Sequence, residues 1–216
     1  MTETGTSVVS TVPFLLKGLG IGLALAAPVG PMSILCIRRT LRDGLLVGLV
    51  SGLGIATADA AYGAIAAFGI SAVAAVLLDL EMTLRLVGGA FLLALGMRIL
   101  FKDPAPSVEP AGKIGSQFAG AFVSCFFLTM TNPTTILTFV AIFAGLGLVG
   151  SAGDYTAAIS LVSGVFGGST LWWLVLCGSV SLLRRRMGPS AMTWINRISG
   201  IVIAAFGIGI LAALVV

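Results

Sequence analysis

Six apolar runs, each long enough to cross a lipid bilayer, constrain this chain more than any other feature. They cover residues 14–37, 45–70, 83–101, 116–147, 157–183 and 195–216. A helix needs roughly 20 apolar residues to traverse the hydrocarbon core. The chain of 216 residues is 58% hydrophobic and only 9% charged, whereas soluble domains carry about 25% charged residues. The fold class that follows is all-α: a polytopic membrane protein of six transmembrane helices, one integral membrane domain over residues 1–216. The fourth run is long enough to hold a tilted, broken or bent span.

Composition also excludes. The net charge of +4 is no nucleic-acid footprint, because the basic residues sit near the ends of the runs, where membrane topology explains them. There is no His, and the three Cys fall in separate runs. They make neither a CxxC metal pattern nor a disulfide framework, so no metal and no cofactor is expected. The first twelve residues hold Glu3 but no Lys or Arg. A secretory signal would want a positive start, a shorter apolar core and a cleavage site. Leu25-Ala26-Ala27 mimics such a site, but the apolar run continues past it, so the first run reads as a retained helix.

The positive charges orient the chain. Arg38, Arg39 and Arg42 follow the first run, Arg98, Lys102 and Lys113 flank the exit of the third, and Arg184, Arg185, Arg186 and Arg197 lie between the fifth and sixth. Only Lys17 and Arg85 fall near the other side, with Glu3, Asp79, Glu81 and Asp154. The Lys/Arg bias places the arginine-bearing loops in the cytoplasm of a bacterial inner-membrane protein, with both termini outside.

The two halves resemble each other. Leu49-Val50-Ser51-Gly52 matches Leu161-Val162-Ser163-Gly164, and Arg85-Leu86-Val87-Gly88-Gly89 matches Asn196-Arg197-Ile198-Ser199-Gly200. The separation from Ser51 to Gly89 nearly equals that from Ser163 to Gly200. A looser match pairs Pro31-Met32-Ser33-Ile34-Leu35 with Pro133-Thr134-Thr135-Ile136-Leu137. Three runs per half force opposite orientations, so the expected architecture is two inverted three-helix repeats, about 13–101 and about 116–216. A cytoplasmic linker at about 102–115, rich in Pro, Gly and charge, joins them. Inverted repeats are a recurring transporter plan with the site at the midplane.

Two helix breaks fall at related places. Pro28-Val29-Gly30-Pro31 interrupts the first run and Asn132-Pro133 the fourth. Proline removes a backbone donor and clashes with the preceding turn, and freed carbonyls inside a membrane must face protein or water. Asp59 lies deep in the second run, and every other acidic residue lies outside the six runs. A charge at the bilayer centre costs about 3 kcal/mol on insertion scales, so an ionisable group there marks a solute, ion or proton pathway by default. The bland alternative is a protonated Asp that hydrogen-bonds two helices together. Gly48-x-x-x-Gly52 and Gly164-x-x-x-Gly168 imply close helix packing and no chemistry. Trp172 falls one place past Leu171, the repeat counterpart of Asp59, so the charge is not duplicated and the site is asymmetric. The candidate pathway is Asp59 with Thr57 and Trp172, the break at Pro28, Gly30 and Pro31, and the break at Asn132 and Pro133.

These elements together resemble the LysE/RhtB superfamily of bacterial amino-acid exporters. The resemblance rests on Ala27-Pro28-Val29-Gly30-Pro31, on Arg38-Arg39-Thr40-Leu41 with Asp43-Gly44, on the stretch from Gly52 through Asp59 to Tyr62, and on Thr129-Met130-Thr131-Asn132-Pro133. It covers nearly the whole chain. It implies six spans and export of amino acids or related small molecules driven by the proton gradient. Val29 is an insertion into the family's Pro-Gly-Pro, and Thr134 stands where members often carry Lys. The missing cation removes one partner for a solute carboxylate. Some members are connected with heavy-metal resistance, which the absence of His and of clustered Cys does not favour.

The leading expectation is therefore a secondary transporter, not an enzyme. It would export a small zwitterionic or cationic solute against a proton taken up by Asp59, with the freed backbone at both breaks holding the solute's polar ends. Its partners are the solute, the proton and lipid; a homo-oligomer stays open. Two alternatives belong to other classes. A thiol-disulfide electron carrier would use Cys36 and Cys125. Yet Cys36 sits near the cytoplasmic end of its run, while Cys125 lies about 13 Å deep at 1.5 Å per residue, and a disulfide needs Cα atoms within about 7 Å. A passive small-solute channel would transport regardless of a proton uncoupler.

Overall fold

A computed structural model describes residues 3–67, 76, 79–101, 114–132, 135, 138–139, 155–184 and 188–214, with side chains from residue 12 onward except at Ile114 and Pro189. The described residues form seven helices: α1 (Glu3–Ala26), α2 (Pro31–Asp43), α3 (Leu45–Ala67), α4 (Glu81–Phe101), α5 (Ile114–Met130), α6 (Tyr155–Arg184) and α7 (Pro189–Ala212). Four of them, α3, α4, α6 and most of α7, are long and apolar enough to cross a membrane. The chain is thus an all-helical, multi-pass membrane protein.

The expected first span is not one helix. It divides into α1 and α2, which meet at an angle of 81° across the break at 27–30. Counted as one broken span they make five. The fourth expected span appears as the 17-residue α5; Pro133 and most of residues 133–147 lie outside the described residues, as does the linker at 102–113. Helix α7 begins at Pro189 rather than 195. Gly188 caps it in an extended conformation and Pro189 takes its first turn, where a missing donor costs nothing. Between α2 and α3 a single residue, Gly44, makes the turn at φ 105°; a side chain there would be strained.

Close contacts set the helix directions. Gly18 of α1 lies on Leu161 and Gly164 of α6, and Gly22 on Val165 and Ser169, so these two run parallel. Helix α3 runs antiparallel to α6, with Gly52 on Trp173 and Gly48 facing Cys177. It runs parallel to α5, with Gly54 on Phe122 and the Tyr62 hydroxyl donating to the Met130 carbonyl. Helices α4 and α7 are antiparallel, Gly89 against Leu211 and Gly96 against Ala204. Of the glycine-spaced motifs, Gly164 and Gly168 form a seam against the α1 backbone, whereas Gly52 makes room for the Trp173 side chain of α6 and Gly48 for the Thr40 side chain of α2.

The C-termini of α2, α4 and α6 and the N-termini of α3, α5 and α7 all share one end of the bundle. Arg38, Arg39, Arg42, Arg98, Arg184 and Arg197 lie in its helix turns. We call it the arginine end. The first residues of α1 and the last of α7 lie at the other end.

Candidate functional site

Proline chemistry opens the bundle's middle. Pro28 cannot donate to the Ala24 carbonyl, nor Pro31 to that of Ala27. Helix α1 accordingly stops at Ala26, and α2 restarts with Pro31 behind Gly30. Ser33 Oγ donates to the freed Pro28 carbonyl at 3.3 Å. Helix α5 likewise stops at Met130, Thr131 makes a turn, and the Asn132 N–H bonds back to Thr129 at 3.1 Å.

Both breaks line one cavity of about 350 Å³, and every described helix contributes to its wall. Pro28, Gly30 and Pro31 line it from the first break, with Met32 and Ser33 of α2; Thr131 and Asn132 line it from the second. Apolar surface comes from Leu25, Ile55, Leu92, Leu128, Phe206 and Ile210. Asp59 of α3 enters the same wall, only 4% exposed. Ser169 Oγ of α6 donates to Asp59 Oδ2 at 2.8 Å, and Trp173 Nε1, one turn further along α6, donates to Ser169 Oγ at 3.2 Å. The ion pairs among the described residues are Arg42–Asp43 and Arg85–Glu81, so among them none pairs Asp59 with a cation.

Of the residues singled out in the sequence, Asp59, Pro28, Gly30, Pro31 and Asn132 meet at this cavity. Pro133 lies outside the described residues. Thr57 does not line the cavity; its hydroxyl donates to the Leu53 carbonyl of its own helix at 2.7 Å. Trp172 does not line it either, while its neighbour Trp173 does. The repeat register pointed one residue short. The buried side of α6 carries Leu161, Val165, Ser169, Trp173 and Cys177, one residue every four, and that spacing picks Ser169 and Trp173 over Trp172.

Depth counted along straight spans also misplaced the thiols. Cys36 and Cys125 belong to one core cluster together with Cys177, all three fully buried and free. Arg39, one turn past Cys36, donates to Cys125 Sγ at 3.2 Å. The bend at 27–30 sets α2 into the bundle rather than along the axis of α1, which brings Cys36 to the level of Cys125. Arg39 also donates to Ser51 Oγ at 2.9 Å, to the Ala121 carbonyl at 2.9 Å and to Ser124 Oγ at 2.8 Å. Arg39, which the sequence offers as a topology charge, thus holds α2 in place. Among the described residues no group of three or more His, Cys, Asp or Glu has the geometry to hold a metal ion.

Known proteins are similar to this chain in sequence. The Bacillus subtilis protein YcgF, whose name gives amino acid efflux as a provisional activity, is 26% identical over 87% of this chain and 90% of its own. An uncharacterized membrane protein of Escherichia coli, YahN, is 24% identical over 80% of this chain and 77% of its own. A leucine efflux protein of Salmonella typhimurium is 25% identical over 53% of this chain and 54% of its own. No solved structure matches the chain. The family described as LysE type translocator matches residues 23–213, nearly the whole of the chain, and the chain belongs to that family.

Proposed function

We propose that this translocator exports amino acids, or closely related small solutes carrying an ammonium group, in exchange for protons bound at Asp59. One observation carries the reading: Asp59 faces the cavity, buried, held by a neutral hydroxyl and in no ion pair among the described residues. A carboxylate so placed is satisfied either by a proton or by the solute's ammonium group. The two compete for one site, and that competition is a physical route to antiport. Around it the wall is mainly apolar, which suits the body of a small amino acid. The names of two relatives, amino acid efflux and leucine efflux, support the solute class.

The helix directions support two inverted repeats of three spans. Helix α3 runs opposite to α6, its sequence counterpart, and α4 opposite to α7. The two breaks contribute to the same cavity from the two halves, as rocking about a central site requires. The concentration of arginines at one end supports an inner-membrane orientation with that end in the cytoplasm. The electron-carrier alternative is not favoured, since all three cysteines are buried away from any soluble thiol.

The test is Asp59→Asn in an efflux assay with a panel of amino acids, comparing cells with and without the gene. The Asn variant keeps shape and much hydrogen bonding but cannot exchange a proton. It is expected to reach the membrane normally and to lose both gradient-driven efflux and solute exchange, because the carboxylate that takes the proton is also the partner of the solute's ammonium group. Wild-type efflux from the variant, still abolished by a proton uncoupler, would reject Asp59 as the coupling group.

A further inference from the structure

Arg38 is a cation that topology alone does not explain. It is 6% exposed, and no acidic side chain among the described residues forms an ion pair with it. Its Nε donates to Asn196 Oδ1 at 2.8 Å, and Asn196 Nδ2 donates to the Ile99 carbonyl at 2.8 Å. These two bonds tie α2 to α7 and α7 to α4. Beside them a void of about 10 Å³ is lined by Arg38, Arg42, Met192, Ile195 and Asn196. That is room for about one water and not for a carboxylate.

A buried guanidinium held by a neutral amide can be improved upon. A carboxylate accepts a guanidinium in two parallel charge-assisted bonds, roughly twice as strong as neutral ones. Arg42 is ion-paired with Asp43, but Arg184, donating to the Arg42 carbonyl, and Arg38 itself leave this mouth net positive and attractive to anions. We propose that Arg38 is the entry site for the solute's carboxylate at the arginine end, and that Asn196 is the latch which the carboxylate displaces. Because the closed void cannot admit a carboxylate, binding and opening are one event: Arg38 leaves Asn196, and α2 parts from α7.

The surrounding bonds say which seam opens. Arg39 fastens α2 to α3 and α5 through four hydrogen bonds, whereas Arg38 ties α2 to α7 through its bond to Asn196. Behind the latch sit Leu35, Ile99 and Ile203, from α2, α4 and α7, an apolar plug in the same core cluster as Met32 and Leu92, which line the cavity. Parting α2 from α7 opens a path from Arg38 past this plug to Asp59. The inference rests on the amino-acid reading above and adds the entry site and its gate.

Labelling of the native cysteines reads the gate. All three are buried in the closed state, so N-ethylmaleimide labelling of purified protein in lipid nanodiscs reads opening, and the rate followed by mass spectrometry is that of Cys36, which lies on α2. Asn196→Ala is expected to speed labelling about tenfold, the worth of one charge-assisted hydrogen bond. Asn196→Asp gives up the bond to the Ile99 carbonyl but holds Arg38 with a fixed carboxylate, and is expected to slow labelling and to cut efflux by a similar factor. Wild-type protein needs no variant: millimolar L-leucine, L-lysine and L-threonine are compared with their amides, which lack the carboxylate. At least one acid should speed labelling while its amide does not. The latch is overturned if no acid speeds labelling, if an amide matches its acid, or if Asn196→Asp exports at the wild-type rate. Failure of the amino-acid reading looks different: cells with and without the gene would release the whole panel alike.

Discussion

At the scale of single residues, the site is a short chain of donors ending on one carboxylate. Trp173 holds Ser169, and Ser169 holds Asp59. A hydrogen bond to a charged group is worth about 1.5–3 kcal/mol and a neutral one about 1 kcal/mol. Ser169→Ala should therefore slow initial efflux more than Trp173→Phe, which keeps the ring's bulk, and both less than Asp59→Asn. Losses of about tenfold and about threefold are expected for the first two. Rates normalised to protein in the membrane check the order, and a Trp173→Phe loss as deep as that of Asp59→Asn would mean the indole acts otherwise. Asp59 was legible in the sequence because a charge in an apolar run stands out. Ser169 was not, because a hydroxyl in a membrane helix bonds its own backbone at no cost and carries no signal. Arg38 and Arg39 were legible only as charges that set topology; burial and partners are properties of the assembled bundle.

At the scale of helices, the proline breaks and the glycine seams were both written in the chain, with unequal completeness. Proline chemistry is local, so the stops at Ala26 and Met130 follow from residues within one turn. A glycine spacing announces a close approach but not the neighbour. Helix α6 separates the two cases by one residue. A Cβ at Gly168 would fall on the Leu19 carbonyl of α1, and one at Gly164 on the Leu15 carbonyl, whereas Gly167 has nothing within 4 Å. Gly168→Val is expected to force α1 away from α6 at about 1–3 kcal/mol or more, with reduced folded protein and a lower unfolding temperature in detergent. Gly167→Val should be neutral, since a valine is at least as compatible with a helix as glycine. Equal damage from both would show that α1 does not pack through that seam in the membrane. The sharp bend between α1 and α2 was not legible in magnitude: two prolines flanking a glycine predict a break, while the 81° depends on how α2 packs among α3, α6 and α7.

At the scale of the whole molecule, the ends of the helices make a statement that no single helix makes. Six arginines lie in the helix turns at one end, while the start of α1 and the finish of α7 lie at the other. Charge asymmetry of this kind sets orientation when it is counted close to the membrane. The number of spans and the facing of the two ends are thus one hypothesis: six crossings, with the second break completing the fourth, return the chain to the side where it began. Alkaline phosphatase fused after α7 should be active and a fluorescent protein fused there dark, because the first needs the oxidising outer side and the second the cytoplasm. Fusions at Gly44, or in the sequence between Phe101 and Ile114, whose helices end and begin at the arginine end, should show the reverse. A bright fluorescent protein after α7 together with an active phosphatase at Gly44 would turn the molecule over and place Arg38 outside, so that the same site would release solute instead of admitting it. Matching signals at the two positions would break the six-crossing count itself, and with it the opposed orientation of the halves on which a shared cavity depends.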